Sequence, residues 1–206
     1  MTSALDRPHV WRPGTGGKPP LLLLHGTGGN EHDLLRLSDH LAPGAPVLSV
    51  RGNVLEDGMP RFFRRLREGV FDEDDMQVRV YELAEFLDAA ESRYHVEPGS
   101  WYSVGFSNGA NIASASLLRR PEKFAGAVLL GAMVPFKSPP EAGVALGKRV
   151  AVVNGLADPL ATSHQTNRLA RDMKSAGAEV TLIEHQGGHS IDPATLPLIA
   201  EFLRGA

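Results

Sequence analysis

Six short apolar runs separated by longer amphipathic stretches are what most restricts the fold of this chain. The runs are Leu21–Leu24, Val47–Val50, Trp101–Gly105, Ala127–Leu130, Val150–Asn154 and Val180–Glu184. Each is apolar or β-branched and bounded by Gly, Pro or polar residues, the pattern of strands buried on both faces. Between them the periodicity predicts helices over Glu31–Ala42, Asp74–Tyr94, Asn108–Arg119, Leu160–Ala176 and Ala194–Arg204. Asp74–Tyr94 is the clearest, with Val80, Leu83, Ala84, Leu87 and Ala90 on one helical face. Strand–helix alternation of this kind predicts an α/β fold, a mostly parallel sheet with helices on both faces. His9–Arg12 adds an edge strand, and Arg12–Pro20 and Lys137–Gly147 read as loops. No repeat, low-complexity tract or linker divides the 206 residues, so one domain is expected over 1–206. Only Arg51–Glu73 has no place in the repeat, and it reads as an insertion.

Charge and composition narrow the partners. A formal net charge of -3 argues against a broad nucleic-acid or anionic-membrane surface, which would need a cationic excess. The run Arg61-Phe62-Phe63-Arg64-Arg65-Leu66-Arg67 is followed by Asp72, Glu73, Asp74 and Asp75, and reads as a solvated, internally balanced stretch. The absence of cysteine removes disulfides, thiolate metal sites and a cysteine nucleophile together. No apolar run approaches bilayer length, and the first residues lack the apolar core of a secretory signal. The expectation is a cytoplasmic protein without a membrane partner.

Gly105-Phe106-Ser107-Asn108-Gly109 directly follows one predicted strand and opens a predicted helix. A serine on so tight a turn is pushed out at the carboxyl end of the sheet, and residues two positions away must lack a Cβ to let the turn close. The small residues that follow, Ala110, Ala113, Ser114 and Ala115, let the helix lie close to the strand. Its first free N–H groups would face the reacting centre. A plain glycine-rich turn whose serine caps a helix is the simpler alternative.

A serine nucleophile needs a base, and the base needs an orienting carboxylate. Three histidines follow Ser107. His164 falls inside a predicted helix and His185 at a strand end, whereas His189 lies in the Gln186-Gly187-Gly188-His189-Ser190 loop, free to reach the serine. Asp158 is the acid of choice, in the tight Gly155-Leu156-Ala157-Asp158-Pro159 loop after a strand. Its alternative role is a helix cap. Asp192, just before Pro193, competes for the orienting role but suits an N-cap, and Asp172 points from a helix. The loop His25-Gly26-Thr27-Gly28-Gly29-Asn30 would supply one oxyanion donor from the Thr27 N–H, the second being the N–H of Asn108. His25 would brace that loop. The third glycine of a dinucleotide fingerprint is missing, because Glu31 stands there, and no phosphate-loop Gly-Lys-Ser/Thr occurs. His185 and His189 have a zinc-pair spacing, but Gly187 and Gly188 would break the helix such a pair needs.

With these segments in order, the sequence resembles the phospholipase/carboxylesterase family of compact α/β-hydrolases. It is most similar to small bacterial carboxylesterases sharing the segment that here reads Arg51-Gly52-Asn53 through Arg61-Phe62-Phe63. The likeness spans about residues 10 to 205. It implies a lidless fold and hydrolysis of a small-molecule carboxylic ester with no cofactor and no metal. It also implies a triad of Ser107, Asp158 and His189 with oxyanion donors at Thr27 and Asn108. The same groups would serve a thioesterase, an acyl-protein deacylase or a lysophospholipase. Relatives often carry glutamine where this chain has Asn108, a change to which a backbone donor is indifferent. Family members are often homodimers. The insertion and the loop Gly131–Phe136 both start at the carboxyl edge of the sheet, so Leu55, Met59, Phe62, Phe63, Phe71, Met133 and Val134 are candidates to line an apolar acyl pocket. Local packing of the insertion is the alternative for some of them.

Overall fold

In the computed structural model, which describes residues 5–205, strand and helix alternate as the apolar pattern requires. The strands are β1 (His9–Arg12), β2 (Leu21–Leu24), β3 (Val47–Val50), β4 (Val54–Glu56), β5 (Met59–Arg61), β6 (Arg65–Arg67), β7 (Val70–Phe71), β8 (Trp101–Phe106), β9 (Phe124–Leu130), β10 (Arg149–Gly155) and β11 (Glu179–His185). The helices are α1 (Leu35–Leu41), α2 (Glu73–Tyr94), α3 (Asn108–Arg119), α4 (Ser163–Ser175) and α5 (Leu196–Arg204). A seven-stranded sheet runs in the order β1-β3-β2-β8-β9-β10-β11, parallel except for β1, which pairs antiparallel with β3.

The period-2 alternation of side chains sorts the core into two layers. Leu22 and Leu24 of β2 pack with residues of α2, α3 and α4, among them Val80, Ile112 and Leu169. Leu21 and Leu23 face the other way, toward Leu35 and Leu41 of α1 and Phe202 of α5. The chain leaves β2 for β3 on one side and later returns to β8 on the other, which puts the topological switch between β2 and β8. Crevices outside the carboxyl ends of parallel strands open at such a point.

Several boundaries differ from the periodicity reading, for local reasons. The first helix begins at Leu35, because residues 31–34 form a turn that starts with the Asn30 amide N–H bonded to Asp33 Oδ2 (3.2 Å). The α4 helix begins at Ser163 and not at Leu160, with Thr162 Oγ1 accepting from the Gln165 N–H. The last helix begins at Leu196, after a 3₁₀ turn over Pro193–Thr195 that Asp192 caps. The β11 strand, expected to be buried on both faces, forms the sheet edge and leaves Leu182 exposed.

The insertion is more ordered than an irregular loop. It folds into two antiparallel hairpins, β4–β5 and β6–β7. Asp57 and Gly58 both have positive φ (51° and 78°) at the first tip, the backbone a two-residue hairpin turn needs. The arginine run is not uniformly solvated either. Arg64 and Arg67 are exposed, whereas Arg61 is buried.

Candidate active site

Four strand ends converge at the carboxyl edge of the sheet: β2, β8, β10 and β11. Ser107 follows β8 with φ 53° and ψ -114°, a conformation that L residues rarely adopt. The turn can be this sharp because its flanking glycines leave room. A Cβ on Gly105 would lie 2.4 Å from the Gly109 carbonyl oxygen, and one on Gly109 would lie 1.9 Å from that of Leu24. The Ser107 N–H donates to the Leu130 carbonyl (2.8 Å), which ties the strained residue to the neighbouring strand.

The Ser107 hydroxyl lies 2.8 Å from His189 Nε2, and His189 Nδ1 lies 2.6 Å from Asp158 Oδ2. This chain of contacts joins residues that are 82 and 31 positions apart. The loops bearing the acid and the histidine are fastened to each other. The Leu156 N–H donates to the His185 carbonyl (2.8 Å), and the Ala157 N–H to that of Gly187 (3.1 Å). Gly155 allows this approach, since a Cβ there would meet the Gly187 oxygen at 2.2 Å. Gly131 (φ 64°) makes room for the imidazole, and the Phe106 ring lies 5.3 Å from it, centre to centre.

Asp158 contacts His189 with one oxygen and holds its own loop with the other, but it does not cap α4, which starts at Ser163 with Thr162 as its cap. Oδ2 faces His189, while Oδ1 accepts from the N–H groups of Leu160 (2.8 Å) and Ala161 (2.9 Å). Its side chain is fully buried, so every contact that fixes it comes from protein. Asp192 instead accepts from the Ala194 N–H (2.9 Å) and lies 3.6 Å from His185 Nδ1. His164 is exposed on α4. Asp172 pairs with Arg168 at 3.5 Å.

Across from the serine, the Thr27 and Asn108 N–H groups have no hydrogen-bond acceptor among the described residues. The insertion holds both residues. The Phe62 N–H donates to Asn108 Oδ1 (2.7 Å), Arg61 Nη1 donates to Thr27 Oγ1 (2.7 Å), and the Gly28 N–H donates to the Pro60 carbonyl (2.9 Å). His25 joins the same brace. Its Nε2 accepts from the Gly52 N–H (2.9 Å), which assigns the ring proton to Nδ1, 2.6 Å from the Gly26 oxygen.

Burial lowers the His25 pKa below its ordinary 6.5, ahead of opposing contributions from the Gly26 carbonyl, Asp33 and Glu31. As pH falls through 6.5 the unfolded imidazole takes a proton that the folded one resists, so this contribution to stability is present above 6.5 and lost below it. Thermal unfolding should therefore show a steeper loss of Tm from pH 7.5 to 5.5 in the wild type than in His25→Gln.

The serine, the histidine, Thr27 and Asn108 border one cavity of about 280 Å³. Of the seven residues expected to line it, Phe71 and Met133 do so. Val134 borders an adjoining groove of about 140 Å³ that shares Phe71 and Met133. Phe62 and Phe63 are core residues instead: directly after the first hairpin ends at Arg61, both are buried in the layer that also holds Met76 and Val80. Leu55 is 72% exposed at the hairpin and Met59 packs by Gly28, and neither borders the cavity. The walls that sequence reasoning missed include Phe106, Asn111, Leu160, Arg61, Arg65 and Glu68. The Asp57-Gly58 pair was the available signal, since a turn there pairs β4 with β5 and brings Arg61 back toward the sheet. The described residues hold no group of three His, Asp or Glu placed to bind a metal. None of the described helices is long and apolar enough to cross a membrane.

A mostly parallel sheet with helices on both faces and no large cap defines a class of proteins, and comparison with known proteins agrees. A family profile for the alpha/beta hydrolase fold matches residues 19–180, and the chain belongs to that family. Within it, the chain is a small carboxylesterase-like α/β-hydrolase without a large cap. It is 45% identical over 183 residues to the Bacillus subtilis (strain 168) protein named "Putative hydrolase MhqD", covering 89% of this chain and 90% of that one. The solved structure of a Bacillus cereus carboxylesterase superposes with a TM-score of 0.94 at 43% identity, over 97% of this chain and 94% of that one. An Agrobacterium tumefaciens protein of unknown function superposes with a TM-score of 0.88 at 35% identity, over 100% of this chain and 99% of that one.

Proposed function

We propose that this protein is a serine carboxylesterase that cleaves short- to medium-chain carboxylic esters through an acyl-enzyme. The observation that supports this reading is the unbroken contact chain from the Ser107 hydroxyl through His189 to Asp158, at 2.8 and 2.6 Å, opening on the cavity. Ser107 Oγ attacks the ester carbonyl carbon while His189 Nε2 takes its proton. Asp158 holds the ring in the tautomer with the proton on Nδ1 and stabilises the imidazolium that forms. The negative charge on the carbonyl oxygen is met by the N–H groups of Thr27 and Asn108, each typically worth about 3 kcal/mol. Collapse breaks the bond to the alcohol oxygen, which leaves with the proton from His189. Water then repeats the sequence on the acyl-enzyme, with His189 as base, and frees the acid and Ser107.

The small, uncapped cavity limits the acyl chain. Each buried methylene contributes about 0.8 kcal/mol only while there is room for it. With p-nitrophenyl esters of increasing length, kcat/KM should peak at roughly two to eight acyl carbons and fall by palmitate. No jump is expected when substrate forms micelles. A rise continuing to palmitate, or activation at a lipid interface, would overturn the short-chain reading. Acyl thioesters of matched length, cleaved faster than the oxygen esters, would move the assignment to thioester hydrolysis.

A further inference from the structure

The arginine run of the insertion divides by direction. Arg64 turns outward to Asp72 (3.2 Å) and Asp75 (3.4 Å) and is balanced there. Arg61 and Arg65 turn toward the cavity that contains Ser107 and border it. Both lean on a single carboxylate: Glu56 Oε2 is 3.0 Å from Arg61 Nε, and Glu56 Oε1 is 2.6 Å from Arg65 Nε. Two guanidinium groups share one contacting carboxylate, and among the described residues no second carboxylate lies within ion-pair distance of either. The Arg61 side chain is only 4% exposed and is clamped by the Phe63 carbonyl and Thr27 Oγ1, so it cannot swing out to be solvated. Arg61 Nη2 and both Nη atoms of Arg65 have no hydrogen-bond partner among the described residues. Burial lowers the Arg61 pKa below its ordinary value, Glu56 opposes that shift and the neighbouring Arg65 adds to it. Glu68 also borders the cavity, but from the exposed tip of the second hairpin.

We propose that Arg61 and Arg65 form a subsite for a carboxylate carried by the substrate, making esters with a free carboxylate on the acyl or the alcohol side the preferred class. The physical case is that a buried, clamped guanidinium beside a partly exposed one shares a single contacting carboxylate, and a substrate carboxylate has the charge and the fork geometry to pair with the free donors. Choice of substrate class rests on the esterase reading above; the subsite itself can be tested without turnover.

The test is titration calorimetry on Ser107→Ala, which binds without cleaving, with two pairs of ligands matched in length. Monoethyl glutarate against ethyl pentanoate places the carboxylate on the acyl side, and 4-acetoxybutanoate against butyl acetate places it on the alcohol side. At least one anionic member should bind about tenfold more tightly than its neutral match, and the pair that shows it assigns the side. That preference should drop to about twofold or less in Ser107→Ala/Arg65→Gln and shrink between about 20 mM and about 500 mM salt. It should grow in Ser107→Ala/Glu68→Gln, where a competing carboxylate is removed. Equal binding within both pairs, or a preference that survives Arg65→Gln, overturns the subsite. Turnover of ethyl pentanoate by the wild type tests the esterase reading separately. Hydrolysis without discrimination leaves the esterase and removes the subsite, and discrimination without hydrolysis does the reverse.

Discussion

Ser107→Ala should abolish ester hydrolysis, lowering kcat by about 10⁵- to 10⁶-fold, the scale seen when a triad nucleophile is deleted. The Ser107 hydroxyl has His189 as its one hydrogen-bond partner among the described residues. Its loss should therefore leave the fold and thermal stability close to wild type. The strained φ of 53° is set by the glycines and by the Leu130 carbonyl, and alanine bears it as serine does. A fluorophosphonate should label the wild type at Ser107 and spare the variant. His189→Ala should cost about as much, and the double variant little more than either, because the two groups act as one unit. Labelling at another serine, such as Ser190 beside the base, or substantial activity left in Ser107→Ala, would remove Ser107 from the reaction.

Asp158→Asn should reduce kcat by about 10⁴-fold, and it separates the two roles of this side chain. An asparagine keeps an oxygen where Oδ1 accepts from Leu160 and Ala161, so the loop before α4 stays held. Toward His189 it offers an N–H in place of an acceptor, which favours the tautomer with the proton on Nε2, the wrong one for a base. Asp158→Ala should lose activity and also about 1 kcal/mol of stability through the missing loop hydrogen bonds, read as a lower Tm. Asp192→Asn should be nearly silent in kcat, because Asp192 caps the turn over Pro193–Thr195 and does not touch His189. If Asp192→Asn were the crippling change, the acid would be misassigned.

What the sequence made legible follows from how local each signal is. The sheet was readable because each strand is a short apolar run, and Leu21–Leu24 and Val47–Val50 match to the residue. Ser107 stood out because the glycines two positions to either side are spelled out within five residues, although only the Gly105 clash is local: Gly109 is required by the Leu24 carbonyl of the neighbouring strand. His189 and Asp158 were reached by chain order and loop position. The insertion was less legible. Residue counts balanced its arginines against Asp72–Asp75, but charge in a sequence has no direction, and Arg61 turns inward where Arg64 turns outward. The adjacent Phe62 and Phe63 defeat a period-2 reading for the same reason: both are buried, since the chain leaves the first hairpin there and runs into the core.

The bracing of Thr27, Gly28 and Asn108 by Pro60, Arg61 and Phe62 also limits how the protein can be re-engineered. Surface excursions between strand and helix are usually exchangeable cassettes, since they carry variation while the scaffold keeps its geometry. Here the excursion is wall and strut at once. A graft spanning Gly52 to Asp72 would alter the shape of the cleft and, in the same cut, release the two N–H groups opposite the serine. Diversification confined to the second hairpin, between Arg65 and Phe71, spares every one of those struts, and libraries aimed at new selectivity should begin there.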